Sequence, residues 1–277
     1  MDAFGDRVAV ITGGAGGIGA AMARAFAERG AKIVLADLDE ANLAAVARDL
    51  EKSGAQVQPV RTDVSKPESV EALAEATLRR FGAVHIVCNN AGIATFGPIA
   101  KSTRKDWEFT MSVNFWGVVN GVQSFVPRLI AQNQGGHVVN TASMAGLVGM
   151  RWLGVYCASK FAVVGLSESL FVELRDQGIG VSVLCPMMVQ TNINENSLRM
   201  RPTELRNPAG TDLPQTGGSA PALVGGTIQP RELALRVVRA IERKELYILT
   251  HPEQREILKR RAGRIDSAFN VWELESS

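Results

Sequence analysis

The chain has few of the side chains on which metal sites and disulfide scaffolds depend. Its 277 residues include only three cysteines, three histidines and two tyrosines, and aromatic residues make up 6%. The cysteines (Cys88, Cys157 and Cys185) are odd in number, lack metal-ligand spacing and lie in apolar stretches. We therefore predict buried, reduced thiols and no metal site, and we exclude a disulfide-stabilised scaffold.

Excess charge of one sign and long apolar runs are also missing. Lys plus Arg total 30 and Asp plus Glu total 28, whereas nucleic-acid-binding proteins usually have a larger basic excess. Polar residues, Gly and Pro interrupt every uncharged stretch before it reaches the roughly 20 apolar residues of a membrane span. The first residues, MDAFGDR, lack the pattern of a signal peptide. We expect a cytoplasmic protein that binds neither nucleic acid nor membrane.

What the chain does have is an alternation of short apolar runs with longer helical patterns. The runs are continuously apolar, as in a parallel sheet with helices on both faces. They predict strands over 8–12, 32–37, 57–61, 85–88, 137–141, 180–185 and 246–249, with helices over 18–29, 106–132, 154–176 and 230–243. A capping box is predicted at 65–68. The pattern indicates one α/β domain over 1–277, a doubly wound (Rossmann-type) parallel sheet of about seven strands flanked by helices.

One segment interrupts this alternation. Residues 192–229 are rich in Asn, Pro, Gly and Thr, contain no aromatic residue and show no long periodic run. An irregular stretch of this length in a compact domain is usually a lid or a binding loop. We predict a substrate-binding lid, with an insertion without function as the alternative. Residues 252–277 are expected to form a helical C-terminal extension.

A glycine-rich turn follows the first predicted strand, with the sequence TGGAGGIG at 12–19. Glycines allow a tight turn, and they let backbone N–H groups approach a pyrophosphate at the positive end of the next helix. A plain tight turn would use similar residues, but the position between a strand and a helix favours a dinucleotide site. The spacing is Gly-x-x-x-Gly-x-Gly, over Gly13, Gly17 and Gly19.

Asp37 ends the second predicted strand, 18 residues after Gly19. A carboxylate at this place can accept hydrogen bonds from both adenosine ribose hydroxyls, and it repels a 2′-phosphate. No Lys or Arg stands at position 15, 16 or 38 to attract that phosphate. We therefore predict that the cofactor is NAD rather than NADP. The alternative interpretation is that Asp37 has only a structural role, as a strand-end or helix-capping residue.

Four polar residues form a candidate reactive group. Tyr156 precedes Lys160 by four residues on a predicted helix, so their side chains share one face. Ser143 lies 13 residues before Tyr156, just after a predicted strand. Asn114 lies in the apolar stretch SVNFWGVV, where its amide needs a partner.

Together these motifs resemble the single-domain branch of the short-chain dehydrogenase/reductase family. TGGAGGIG at 12–19, Asp63-Val64, NNAG at 89–92, Asn114, Ser143 and YCASK at 156–160 have the family's order and spacing. The resemblance runs from about residue 8 to residue 191 and, in its rhythm of strands and helices, to residue 249.

The resemblance implies a role for each reactive residue. Tyr156 would be the general acid/base for the proton on the substrate oxygen, with its pKa lowered by Lys160 and by the positive nicotinamide. Lys160 would also hold the nicotinamide ribose, Ser143 would bond the substrate oxygen, and Asn114 would fix a water of a proton relay. The reaction would be hydride transfer between a carbinol carbon and nicotinamide C4.

The resemblance also implies a set of cofactor contacts. They are Gly13, Gly17, Ile18, Gly19, Asp37, Asp63, Val64, Asn90, Ala91, Gly92, Tyr156, Lys160, Pro186, Val189 and Thr191. One departure follows the sixth strand, where the family usually has Pro-Gly and this chain has Pro186-Met187. We expect Met187 to narrow the substrate entrance or to shift that loop.

The residues expected to line the substrate pocket are mostly apolar. They are Met144, Leu147, Trp152, Leu153, Met187 and Met188, with Met150, Ile93, Thr95 and Phe96 beside them. About half should touch substrate and the rest should belong to the core. With Arg151 as the only nearby cation, a hydrophobic secondary alcohol or its ketone, bulky or aromatic, fits best.

Two other functions stay open. An NADPH-dependent 3-ketoacyl-type ketoreductase would share most of these motifs, although Asp37 argues against it. A catalytically silent NAD-binding regulatory or interaction subunit would usually have lost Tyr156, Lys160 or Ser143. The resemblance also implies a homotetramer or homodimer that pairs the helices predicted over 106–132 and 154–176.

Overall fold

A seven-stranded parallel sheet forms the centre of the computed structural model, which describes residues 3–207 and 225–270. The strands are β1 (Val8–Thr12), β2 (Lys32–Asp37), β3 (Val57–Arg61), β4 (Ile86–Asn89), β5 (Gly136–Thr141), β6 (Ile179–Cys185) and β7 (Tyr247–Leu249). Their order is β3-β2-β1-β4-β5-β6-β7. The order reverses between β1 and β4, which opens a crevice at the carboxyl ends of these strands.

Helices cover both faces of the sheet. They are α1 (Gly17–Ala27), α2 (Glu40–Lys52), α3 (Pro67–Phe81), α4 (Arg104–Met111), α5 (Gly117–Gln132), α6 (Gly154–Leu174), α7 (Ile193–Arg199), α8 (Pro230–Arg243) and α9 (Arg255–Ser267). Residues of α1, α2 and α8 build the core on one face, and residues of α3, α5 and α6 build it on the other. The predicted doubly wound Rossmann-type domain is confirmed.

Two local predictions need correction. The helix predicted over 106–132 is interrupted by a π-helical turn at Ser112–Trp116. The capping box predicted at 65–68 does not form, because Ser65 Oγ donates to Asp63 Oδ1 (2.7 Å) and Lys66 caps α3 without a side-chain hydrogen bond. A capping box forms instead before α4, between Thr103 and Asp106.

The segment predicted to be irregular contains a helix. Within 192–207 the chain forms α7 and a 3₁₀ turn at Thr203–Leu205, and Ile228 later pairs with Val189 in a short parallel bridge. Residues 208–224, the middle of the predicted lid, lie outside the described residues. We use the term lid segment for residues 191–207.

The C-terminal extension is helical over α9, and no residue of that helix is buried. Residues 271–277 lie outside the described part of the chain. Among the described helices, Gly154–Gln177 has the length and composition to cross a membrane, with a mean hydropathy of 1.4 over its most apolar window. This stretch includes α6, which packs against β6 and buries Lys160, as a core helix does.

Candidate active site

Tyr156, Ser143 and Lys160 meet at the carboxyl end of β5. Tyr156 and Lys160 lie one turn apart on α6, and Lys160 Nζ is 5.6 Å from the centre of the Tyr156 ring. Ser143 caps the 3₁₀ turn that follows β5, and its hydroxyl lies close enough to the Tyr156 phenol to oppose the rise in pKa that burial causes there. The predicted pairing of these groups is therefore present in the fold.

The Lys160 ammonium is buried and anchored. Nζ donates to the carbonyl oxygen of Thr141 at 3.0 Å. Burial lowers the pKa of Lys160 to about 8, with the Cys185 thiol group acting in the opposite direction. At neutral pH the side chain still carries its proton, so a positive charge stands beside the Tyr156 ring.

The lowered pKa of Tyr156 that the resemblance implies depends on Lys160 and on a positive nicotinamide together, and burial in the chain alone acts in the opposite direction. Burial raises the pKa of Tyr156 to about 12, and the hydrogen bond with Ser143 opposes this rise. The physical reason is that burial withdraws the hydroxyl group from water, which disfavours the charged phenolate. In the chain alone, Tyr156 holds a proton that it can donate.

Asn114 lies in the π-helical turn, and its side chain is fully buried. Its Oδ1 accepts from Ile93 N (2.9 Å), and Nδ2 donates to Ile93 O (3.0 Å) and to Ser159 Oγ (3.1 Å). The amide therefore ties the segment after β4 to α6. Both amide hydrogens are used within the protein, so only the second lone pair of Oδ1 is left for a water.

The glycine-rich turn has the shape that a dinucleotide needs. Gly13 (φ +68°) and Gly17 (φ +51°) adopt left-handed conformations. The extended Gly16 caps α1 without any side-chain hydrogen bond, and a Cβ built on Gly16 would meet no atom within 4 Å. Open N–H groups at a helix start, next to free space, fit a pyrophosphate. Ile18 packs beside this turn against the core.

Asp37 is held in place from two sides. Its Oδ2 accepts from Ala15 N and its Oδ1 accepts from Asp39 N, both at 3.0 Å. The carboxylate is thereby fixed at the end of β2, against the glycine-rich turn, with lone pairs left for further donors. This geometry fits an adenosine ribose at the place predicted from the sequence.

The NNAG segment and the Asp63-Val64 pair complete the cofactor side of the crevice. Thr12 Oγ1 accepts from Asn90 N (2.9 Å) and from Ala91 N (3.1 Å), which fixes the segment against β1. A Cβ on Gly92 would lie 3.5 Å from Lys160 Nζ. Asp63 accepts from Ser65, and Val64 is buried against α5.

The loop after β6 reaches both the reactive group and the glycine-rich turn. Pro186 O accepts from Met144 N at 2.9 Å. A Cβ on Gly17 would lie 3.1 Å from Thr191 Cγ2, so Thr191 closes over this turn. Between them, Met188 O accepts from Ile228 N (3.0 Å), and this bond holds the loop at Val189 to the chain that returns from the lid.

The predicted substrate residues separate into two groups. Met144 is 1% exposed, because the 3₁₀ turn after Ser143 directs it into the core, so its side chain has little surface for a substrate. Leu147, Trp152, Leu153, Met187 and Met188 keep accessible surface. Trp152 has a φ of +70°, a strained conformation for a bulky residue, and its carbonyl accepts from Gly97 N at 2.7 Å.

Sequence reasoning missed the contacts that anchor the lid segment. Ser197 Oγ of α7 accepts from Ala94 N (2.8 Å), and Arg201 Nη1 pairs with Asp106 Oδ1 (2.8 Å), with side chains 13% and 4% exposed. A cavity of about 60 Å³ lies under the segment, lined by Ala94, Thr95, Phe96, Asp106, Phe109, Asn194, Ser197, Leu198, Arg201 and Asn207. None of the six main predicted substrate residues lines it. No periodic pattern in this polar segment indicated these contacts.

No group of three or more His, Cys, Asp or Glu side chains able to hold a metal ion occurs among the described residues. The three cysteines are buried and unpaired, as predicted. The three histidines bond inside the protein: His85 accepts from Val8 N, His137 pairs with Ser182, and His251 pairs with Gly226 O. These histidine bonds go to groups other than Tyr156, Ser143 and Lys160.

Comparisons with known proteins agree with this geometry. A family profile described as short chain dehydrogenase matches residues 7–202. The chain belongs to the short-chain dehydrogenase/reductase family. A C alpha-dehydrogenase from Sphingobium sp. is 36% identical over 261 residues, which is 94% of this chain and 85% of the relative. The crystal structure of a short-chain dehydrogenase/reductase from Burkholderia phymatum in complex with NAD has a TM-score of 0.89 at 40% identity, covering 97% of each chain.

Another similar protein is named as a hydroxysteroid dehydrogenase. A 3beta-hydroxysteroid dehydrogenase 2 from Eggerthella lenta is 40% identical over 188 residues, covering 68% of this chain and 72% of the relative. The motif-based family prediction is confirmed, and the protein is a short-chain dehydrogenase/reductase oxidoreductase. Its Tyr156, Lys160 and Ser143 are all present and lie together in the fold.

Asp106 holds the lid segment through contacts with two of its residues, Arg201 and Asn207. Oδ2 accepts from Thr103 N (2.8 Å), while Oδ1 accepts from Asn207 Nδ2 (3.1 Å) and pairs with Arg201. Burial alone would raise the pKa of Asp106, but the hydrogen bonds from Thr103, Arg201 and Asn207 outweigh it and the pKa is lowered. We expect Asp106→Asn to reduce the free energy of unfolding by about 2 kcal/mol at pH 7.

The stabilisation that ionised Asp106 provides is expected to decrease as the pH falls. Because folding lowers the pKa of Asp106, the unfolded chain takes up the proton first as pH falls. The contribution is complete above the unfolded pKa of about 4, and it disappears as pH falls through the lower pKa of the folded state. Denaturant unfolding of wild type and Asp106→Asn, at pH 7 and below pH 4, measures the difference in their free energies of unfolding. A difference between variant and wild type that grows towards acid contradicts the assignment.

Proposed function

We propose that this protein is an NAD-dependent alcohol dehydrogenase that moves a hydride between NAD(H) and a hydrophobic secondary alcohol or ketone. The observation that carries the cofactor assignment is Asp37, fixed by two backbone N–H donors at the end of β2. A fixed carboxylate at that position favours two ribose hydroxyls and disfavours a 2′-phosphate. The NAD bound in the Burkholderia phymatum neighbour supports the same choice.

The bound cofactor would supply the hydride chemistry, and the chain would supply the proton and the orientation. The Ser143 hydroxyl lies close enough to Tyr156 to influence its pKa, so the two hydroxyl groups can hold one carbonyl or carbinol oxygen between them. In the reduction direction Tyr156 donates its proton to that oxygen. Ser143 donates a second hydrogen bond and stabilises the developing negative charge.

Lys160 supports this proton transfer by its charge. Its ammonium group, anchored on Thr141 O, places positive charge beside Tyr156 and so stabilises the phenolate that remains after the proton is given. In the oxidation direction the same charge helps Tyr156 to accept the proton. Asn114 keeps the loop after β4 against α6 and thereby holds this geometry.

The substrate class follows from the accessible wall of the crevice. Leu147, Trp152 and Leu153 keep accessible surface on the segment between β5 and α6, and Met187 and Met188 keep it on the loop after β6. Apolar and flexible side chains of this kind fit a bulky alicyclic or aromatic molecule. The similar hydroxysteroid dehydrogenase, named for an alicyclic alcohol, supports this choice.

The homo-oligomer also stays a proposal. Two exposed apolar side chains favour it: Trp116, which directly precedes α5, and Val172, which lies on α6.

A paired titration with NADH and NADPH tests the cofactor assignment first. The readout is quenching of the four tryptophans, which needs no knowledge of the substrate. We expect NADH to bind at least about tenfold more tightly, equal to about 1.4 kcal/mol. Tighter binding of NADPH would contradict the role of Asp37 and would favour the 3-ketoacyl-type ketoreductase. Initial rates on a panel of hydrophobic secondary alcohols with NAD then test the substrate class.

A further inference from the structure

The lid segment touches the adenosine side of the crevice as well as the substrate side. Arg199, the last residue of α7, places Nη2 2.6 Å from Asp39 Oδ2, across 160 residues of sequence. The backbone N–H of Asp39 donates to Asp37 Oδ1 at 3.0 Å. Asp39 therefore stands between the Arg199 guanidinium group and the Asp37 carboxylate, which we assign to the adenosine ribose, and it is bonded to both.

This guanidinium group is engaged rather than free. The Asp39 side chain is 11% exposed and also accepts from Asn42 N (3.1 Å), which fixes it as the cap of α2. Arg199 is the main cause that lowers the pKa of Asp39, so the carboxylate stays charged at neutral pH. Arg199 itself is 55% exposed, and its second contact is Asn196 Oδ1 at 3.3 Å.

A free arginine at this place would have a clear chemical preference. A guanidinium group beside the ribose-binding carboxylate is the group that accommodates the 2′-phosphate of NADP. Arg61, which lies opposite Asp37 in the register of β3, is also engaged, with Glu40 at 2.9 Å. That pair is well exposed on both sides, so it is weaker than the pair made by the rigid Asp39.

We propose that Asp39 is a second determinant of the preference for NAD over NADP, because it withholds the lid residue Arg199 from the 2′-phosphate. Asp37 acts by repulsion, whereas Asp39 acts by occupying a cation that would otherwise attract the phosphate. The inference rests on the proposed NAD preference. It also links the lid segment to cofactor choice, since the cation lies on α7.

Asp39→Asn removes the carboxylate charge and keeps an amide that can still cap α2. The test compares wild type, Asp39→Asn, Arg199→Gln and the double variant, with dissociation constants for NADH and NADPH measured by tryptophan quenching. We expect Asp39→Asn to tighten NADPH binding about tenfold and to change NADH binding less than about threefold. In the Arg199→Gln background the same substitution should tighten NADPH binding less than about threefold.

The control is Asp49→Asn, which frees Arg24 from an exposed pair between α1 and α2 and should leave NADPH binding unchanged. An equal gain in both Arg199 backgrounds would mean that only the lost negative charge matters, and it overturns the proposal. No gain in Asp39→Asn overturns it as well. The wild-type ratio of NADH to NADPH affinity separately tests the proposed function, so the two failures are distinguishable. Thermal unfolding checks that all variants fold.

Discussion

Replacing Tyr156 with Phe is expected to lower turnover by at least about a thousandfold and, because the ring is kept, to change NADH binding by less than about threefold. The substitution removes one hydroxyl group, which is the proton donor that we propose for the reduction direction. The ring remains, so the buried packing against Lys160 is kept. Turnover is followed by NADH absorbance with a hydrophobic secondary alcohol or ketone, and binding is followed by tryptophan quenching.

The other tyrosine of the chain provides a matched control. Tyr247, on β7, bonds its hydroxyl to Glu168 and lies away from Ser143 and Lys160 in sequence and in its contacts. Tyr247→Phe deletes the same atom and should keep activity within about twofold of wild type. Undiminished turnover in Tyr156→Phe would contradict the mechanism. Wild-type protein that binds NADH and turns over no substrate of the panel would instead favour the silent regulatory subunit.

The predictable part of the fold and site follows from local periodicity. Short apolar runs located the seven strands to within a few residues. Tyr156 and Lys160 had to share a face, because four residues make about one helical turn. Ser143 and Asp37 each follow or end a parallel strand, and such strands bring their carboxyl ends to one edge of the sheet.

What could not be predicted depends on contacts between distant residues. The helix α7 forms in a polar segment because Ser197 bonds Ala94 and Arg199 bonds Asp39, more than 100 residues away. The π-helical turn at Asn114 coincides with the bonds that its amide makes to Ile93 and Ser159. Burial likewise governs the Tyr156 pKa, and sequence position alone does not give burial.

Gly19→Ala is expected to destabilise the protein by about 3 kcal/mol or more and to abolish tight NADH binding. A Cβ on Gly19 would lie 2.1 Å from the carbonyl oxygen of Gly13 and 2.8 Å from Asn90 Nδ2. The first of these is a backbone atom of the glycine-rich turn, so no side-chain rotation relieves the clash. Either α1 must move away from β1 or the turn must change shape, and the N–H groups then no longer converge on a pyrophosphate.

Gly16→Ala is the matched control for that loss, three residues earlier in the same turn. Gly16 has an extended φ of −176°, and its Cβ would meet no atom within 4 Å. Alanine is a poorer helix cap than glycine, which destabilises the folded protein, but it also lowers the entropy of the unfolded chain, which stabilises the folded protein. Because these effects nearly cancel, the free energy of unfolding should change by less than about 0.5 kcal/mol. Denaturant unfolding measures both variants, and the Gly19→Ala loss corresponds to a fall in Tm of roughly 6–12 °C. Equal stability of the two variants would show that α1 and the turn are not in the tight contact that this site requires.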